Sequence, residues 1–156
     1  MNEKQKELIE KLAQNEESVS QLYRAYADRF PAYNEFWAGL ADEEMEHASW
    51  LRQLSMKIVD GSPLYVDEDR FRVQPVQIYQ NYLQQELTKA KGADISLTYA
   101  LSVTASIEES LIERKYFEVF ETDSVELKHV LLNLADATRA HMNKAREMLR
   151  KHKPPK

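Results

Sequence analysis

Apolar side chains recur in steps of three and four along most of this chain, the spacing that keeps them on one face of an α-helix. From about residue 3 to residue 30 the inward positions read Ile9, Leu12, Glu16, Val19, Tyr23, Tyr26 and Phe30, and Pro31 stops the run. A second stripe follows at once, with Trp37, Leu40, Glu44, His47, Leu51, Leu54 and Ile58, until Asp60-Gly61-Ser62-Pro63 ends it. So short a connection makes the two helices antiparallel neighbours. Residues 61–75 lack a helical period, carry the acidic cluster Asp67-Glu68-Asp69, and predict an extended crossover along the outside of a bundle. Pro75 suits the first turn of a shorter helix over 76–91, with Ile78, Tyr79, Tyr82 and Leu83 as its apolar side. Gly92 breaks that helix, and Asp94 is the expected N-cap of the next. Residues 95–120 are apolar on most faces and predict the most buried helix. Thr122-Asp123-Ser124 then supplies a turn and a cap, and Leu127, Leu131, Leu134, Thr138, His141, Ala145 and Met148 form the last stripe. The segment 150–156 is basic and Pro-rich and is expected to fray.

Composition supports this reading and narrows it. With 156 residues, 43% of them apolar, the chain fits a single core, which we assign to residues 1–150 with 151–156 as a tail. Only 3 glycines among many Leu, Ala, Glu, Lys and Gln favour an all-α fold, because strand-rich folds need frequent turn residues. Four helices of roughly 25 residues, each about 40 Å long, bury four such stripes most simply as a four-helix bundle with one long crossover between two hairpins. The net charge of −5 leaves no large basic surface, so nucleic acid is not the expected partner. No run approaches the ~18 apolar residues of a membrane span, and the N-terminus runs directly into charged residues, so a soluble cytoplasmic protein is the expectation. The absence of Cys excludes disulfides, thiolate nucleophiles, Cys-ligated zinc and iron–sulfur centres. Any metal must be held by His, Asp and Glu.

Two of the inward stripes contain residues that burial alone does not favour. Glu16 sits at a core position of the first helix, and Glu44 with His47 at core positions of the second. A carboxylate facing a core normally shifts its pKa or finds a cation. The spacing Glu44-Met45-Glu46-His47 places a carboxylate and an imidazole one helical turn apart, where both reach one ion. The second half of the chain repeats the pattern. Leu40, Ala41, Asp42 and His47 align with Leu134, Ala135, Asp136 and His141, and Glu16-Glu17-Ser18 aligns with Glu108-Glu109-Ser110. A duplicated helix hairpin folded about a pseudo-twofold axis brings Glu16, Glu44 and His47 opposite Glu108 and His141. Glu108 and Glu109 both stand as the carboxylate of that third long helix, whose many apolar faces leave its inward direction open, and the repeat favours Glu108.

These motifs resemble the rubrerythrin-like branch of the ferritin-like superfamily of non-haem di-iron carboxylate proteins, over about residues 8 to 150. The resemblance implies a ferritin-like bundle and one or two iron ions per chain, held by Glu16, Glu44, His47, Glu108 and His141. It also implies a tyrosine, Tyr23, hydrogen-bonded to a ligand carboxylate, although an aromatic residue on a stripe reads first as core packing. Thr138 is the departure, since the pattern has a second bridging Glu there. The missing charge can come from a bridging hydroxide, from Glu109 or Glu113, or be avoided by holding one ion fewer. The implied activity is reduction of peroxide or oxidation of Fe(II) by dioxygen or peroxide, with an external electron donor because the chain lacks Cys, in a protein that pairs as a homodimer. Tyr79, Tyr82 and Trp50 add to the expectation of a dimer as aromatic surface beyond what one bundle covers. The alternative is a ferritin-like scaffold that has lost its metal chemistry and serves as an interaction protein. Glu43, Glu46, Glu109 and Glu113 otherwise read as surface ion-pair residues, His129 and His152 as solvated, and Trp37 and Trp50 as packing.

Overall fold

The computed structural model describes residues 3–59, 64–65, 73–92, 94–110, 121–122 and 125–152. Helix α1 (Glu3–Arg29) and helix α2 (Asn34–Val59) are joined by one 3-10 turn, Pro31–Tyr33. Pro31 cannot donate to an α-helical ladder, so it closes α1 and opens the turn. The pair is antiparallel: Arg52 meets Glu10 and Glu17, Arg24 meets Asp42, and the Ser20 hydroxyl donates to the Ala41 carbonyl at 2.8 Å. Helix α3 (Val73–Gly92) is a 20-residue element with Pro75 in its first turn, and it packs on α1 in parallel. Lys11 reaches Gln77, Ser18 accepts from Gln80 at 2.8 Å, and Arg29 donates to the Ala90 carbonyl at 2.9 Å.

Helix α4 (Leu97–Ser110) packs on helix α5 (Val125–His152), which also runs antiparallel to α2. The expected N-cap of α4 is corrected. Ser96, not Asp94, accepts the Tyr99 backbone N–H on its hydroxyl at 3.0 Å, and Asp94 is exposed. Leu64–Tyr65 and Glu121–Thr122 form a short antiparallel pair that ties the α2–α3 connection to the α4–α5 connection. Thr122, expected in a turn, is therefore paired. The rest of the extended crossover, the acidic cluster at 67–69, the expected helical stretch 111–120, the cap at 123–124 and the tail 153–156 lie outside the described residues. Among the described residues the regular structure is helical apart from that pair.

The stripes fall where their period puts them. Ile9, Leu12, Val19, Tyr23 and Tyr26 of α1, Trp37, Leu40, Leu51 and Leu54 of α2, and Leu131, Leu134 and Ala145 of α5 are buried. Trp37 packs among Tyr26, Phe30, Tyr33 and Phe36, and its indole N–H donates to Thr104 at 3.0 Å. The apolar side of α3 needs correction: Ile78 is 68% exposed, and the buried face reads Val76, Tyr79, Leu83, Glu86 and Ala90. Glu86 is tolerated because the Tyr99 hydroxyl donates to it at 2.8 Å and Lys89 lies at 3.3 Å. Tyr79 is buried and Tyr82 half-buried against it, so Tyr79 is covered within one chain and Tyr82 only in part. His152, expected in solvent, closes α5 by packing edge-on against Tyr33, with its Nδ1 3.1 Å from the phenol oxygen. His129 is exposed. Among the described residues no helix is long and apolar enough to cross a membrane.

Candidate metal centre

Glu16 leaves α1, Glu44 and His47 leave α2, Glu108 leaves α4, and Thr138 and His141 leave α5. All six are between 1 and 6% exposed. The three-residue step on α2 sets His47 Nδ1 3.3 Å from Glu44 Oε2, and α1 brings Glu16 Oε2 to 3.9 Å from the same nitrogen. Across the bundle, His141 Nδ1 is 2.8 Å from Glu44 Oε1 and 3.9 Å from Glu108 Oε2. The two imidazoles stack at 4.9 Å between centroids with their planes 26° apart. Among the described residues, Glu44, His47 and His141 each offer one ligand atom, all within 4.8 Å of one another.

Tyr23 lies on the inward stripe two turns beyond Glu16, and its hydroxyl donates to Glu108 Oε1 at 2.6 Å. That bond distinguishes the two neighbouring glutamates. Glu108 is the buried one, whereas Glu109 is on the surface with Arg146 at 2.7 Å. Glu46 is exposed, and Glu113 lies outside the described residues. Burial, then the charges of Glu108 and Glu44, push the Tyr23 phenol well above its usual range, so it stays protonated and acts as a donor.

Thr138 does not stand in for a carboxylate. Its hydroxyl donates to the Leu134 carbonyl one turn back at 2.8 Å, which commits its proton to the backbone. What the short side chain leaves is a cavity of about 10 Å³ lined by Glu16, Val19, Glu44, Ile107, Glu108 and Thr138. That is room for about one water-sized sphere, facing three carboxylates.

Glu43 is the residue whose role its sequence position hides. Instead of a simple surface ion pair, its Oε2 contacts His141 Nε2 and its Oε1 is 3.1 Å from Lys144 Nζ. With Nε2–H donating to Glu43, Nδ1, which lies 2.8 Å from Glu44 Oε1, can bind an ion once it has lost its proton. A carboxylate behind a ligand histidine fixes its tautomer and raises its basicity. The only advance signal was the adjacent pair Glu43-Glu44, with Glu43 one step off the stripe toward α5. Replacing Glu43 with alanine is expected to weaken metal binding about 10- to 100-fold, whereas Glu46→Ala leaves it unchanged, as a Co(II) titration followed by visible absorption would show.

The charges at this site respond to pH in opposite directions. Burial opposes a charge on His141, but the hydrogen bonds and charges of Glu44 and Glu43 outweigh it and raise its pKa above 6.5. Burial likewise opposes ionised Glu44, yet its hydrogen-bonding contacts with Glu16, His141 and His47 hold its carboxyl well below the usual range. A raised histidine contributes stability that is complete below its unfolded pKa and is lost as pH rises through the folded value. A depressed glutamate contributes stability present above its unfolded pKa and lost as pH falls through the folded value. Metal-free protein is therefore expected to melt highest between about pH 5 and 6.5, then lower as the pH rises and His141 loses its proton. Metal binding needs that nitrogen unprotonated, so affinity is expected to increase over the same rise. Melting curves with and without Co(II) across this range test both signs.

Carboxylate oxygens and imidazole nitrogens, with no thiolate, form a donor set that suits iron, manganese or zinc. The residues present fit such an ion. Compared with known proteins, the chain matches no family model, no curated protein and no solved structure.

Proposed function

We propose that this chain is a non-haem iron protein of the rubrerythrin-like, ferritin-like kind, holding iron through Glu44, His47 and His141 with Glu16 and Glu108 beside them. The carrying observation is the convergence of Glu44, His47 and His141, fully buried and from two different helices, with ligand atoms within 4.8 Å of each other. The placement of these side chains on four helices, α1, α2, α4 and α5, with α3 outside them on α1, supports a ferritin-like bundle built from two hairpins. Iron bound there would supply electrons to peroxide or dioxygen, or be oxidised by them, with reducing equivalents from an external donor.

The protein's own part is to hold and insulate. Glu43 and Lys144 orient His141 from outside, while Tyr23 holds Glu108 and keeps a proton at its phenol oxygen. The two apolar clusters of the core, one with Val19, Leu40 and Ile107 and the other with Leu12, Leu51 and Leu134, limit access of water and so strengthen the carboxylate–metal attraction. With three carboxylates near two imidazoles, one tightly held ion and a weaker second one is the composition we favour. The homodimer rests on the resemblance and on the half-buried Tyr82 and Trp50, since Tyr79 is covered within the chain.

A second reading, a scaffold without metal chemistry that binds a partner, draws on one observation. His141 is already held on both nitrogens by Glu44 and Glu43, so the cluster is self-satisfied without an ion. Metal content after expression in iron-supplemented medium and purification without chelator or metal-affinity resin, followed by the optical change on adding peroxide, separates the two. Bound iron that responds to peroxide supports the first reading. A metal-free, inert protein supports the second.

A further inference from the structure

Helices α2 and α5 meet at the Glu44–His141 pair, and further along them lies a cleft of about 240 Å³. Its walls are Trp50, Gln53 and Leu54 of α2 and Val130 and Asn133 of α5. Among the described residues that line it none is charged, in a chain of which 30% is charged. Trp50 is its wall nearest the buried cluster. It lies one turn from His47, the two rings are 5.6 Å apart at a tilt of 40°, and Trp50 is only half-buried.

We propose that this cleft binds a neutral, single-ring aromatic molecule carrying a hydroxyl or similar polar edge. Size sets the upper limit: a cavity of ~150 Å³ takes benzene, and drug-sized ligands need about 300 Å³ or more. The Trp50 indole offers an aromatic surface for offset or edge contact, and Leu54 and Val130 offer apolar contact to the rest of the ring. Gln53 and Asn133 each carry both donor and acceptor groups, which a hydroxyl can use in either sense. Gln53 reaches Ser49 only at 3.5 Å, a contact weak enough to yield to a ligand. A carboxylate or ammonium group would find no charged partner among the described residues that line the cleft. Because Trp50 is shared by the cleft and His47, an occupant sits one side chain from the metal centre. The site does not depend on the metal reading and can be tested on the metal-free full chain.

The probe is phenol, with benzoate and benzylammonium as charged controls, titrated against the isotope-labelled chain by NMR. Saturable binding with a Kd on the order of 1 mM is expected for so small a ligand. The Trp50 indole and His47 ring signals should move, and the Trp37 indole signal should not. Both charged controls should bind at least about tenfold more weakly. Asn133→Trp fills the cleft from an exposed position and should weaken phenol about tenfold or more. If that variant loses helicity, Gln53→Trp replaces it. Linear, non-saturating shifts, movement at Trp37 without Trp50, equal binding of benzoate, or wild-type affinity in a folded filled-cleft variant would each overturn the proposal.

Discussion

Replacing Glu44 and His47 together with alanine is expected to abolish specific metal uptake, and His47→Ala alone to weaken it about tenfold or more. The two residues are the buried Glu-x-x-His pair of α2, whereas His129, which shares that spacing with Glu126, is exposed, and they supply two of the three ligand atoms that lie within 4.8 Å of one another. Glu44 is also the hub of the cluster, since His47 Nδ1 lies 3.3 Å away and His141 Nδ1 lies 2.8 Å away. Losing it leaves His141 with Glu43 on its outer nitrogen and no near carboxylate on the inner one except Glu108 at 3.9 Å. Dialysis of each protein against Fe(II) under anaerobic conditions, with bound metal counted per chain, reads the effect. Circular dichroism shows whether the helices persist. Equal metal in wild type and a folded double variant would mean that ions bind elsewhere.

Thr138→Glu is expected to act in opposite directions with and without metal. The substitution puts a fourth carboxylate beside Glu16, Glu44 and Glu108, in a cavity of about 10 Å³. Without an ion, the added charge is buried among like charges in a space too small for it, and the bundle should lose a few kcal/mol. With divalent ions present, four carboxylates balance two of them, and Glu-x-x-His is recreated on α5. Occupancy should then move toward two ions per chain, and the rise in melting temperature on adding metal should exceed that of wild type. Titrating iron into both proteins and melting each with and without it gives the comparison. A variant that binds no more iron and melts lower in both states would leave Thr138 as ordinary packing.

The fold was largely legible because α1, α2 and α5 are long, amphipathic helices whose stripes have one solution. Glu16, Glu44, His47 and His141 could be placed inward for that reason, as polar residues at positions where the period demands burial. The α4 helix carries a weaker signal. It is apolar on several faces, so the choice between Glu108 and Glu109 needed a partner from another helix, the Tyr23 hydroxyl. The same limit explains α3. Ile78, Tyr79, Tyr82 and Leu83 admit two overlapping faces, and what selects the one with Val76 and Glu86 is contact with α1 and the Tyr99 phenol on α4. Glu43 was misread because nothing local distinguishes a carboxylate that pairs with solvent from one that reaches His141 across the bundle. Sequence spacing reports which face a side chain takes, but not who stands opposite.

The most direct measurement is the number and affinity of Fe(II) ions bound by the purified, metal-free chain, titrated anaerobically beside the Glu44→Ala, His47→Ala double variant. We expect one tightly held ion per wild-type chain, a weaker second one, and none held specifically by the variant. A wild-type chain that retains no more Fe(II) than the variant would contradict the assignment of this buried carboxylate–histidine cluster as a metal centre.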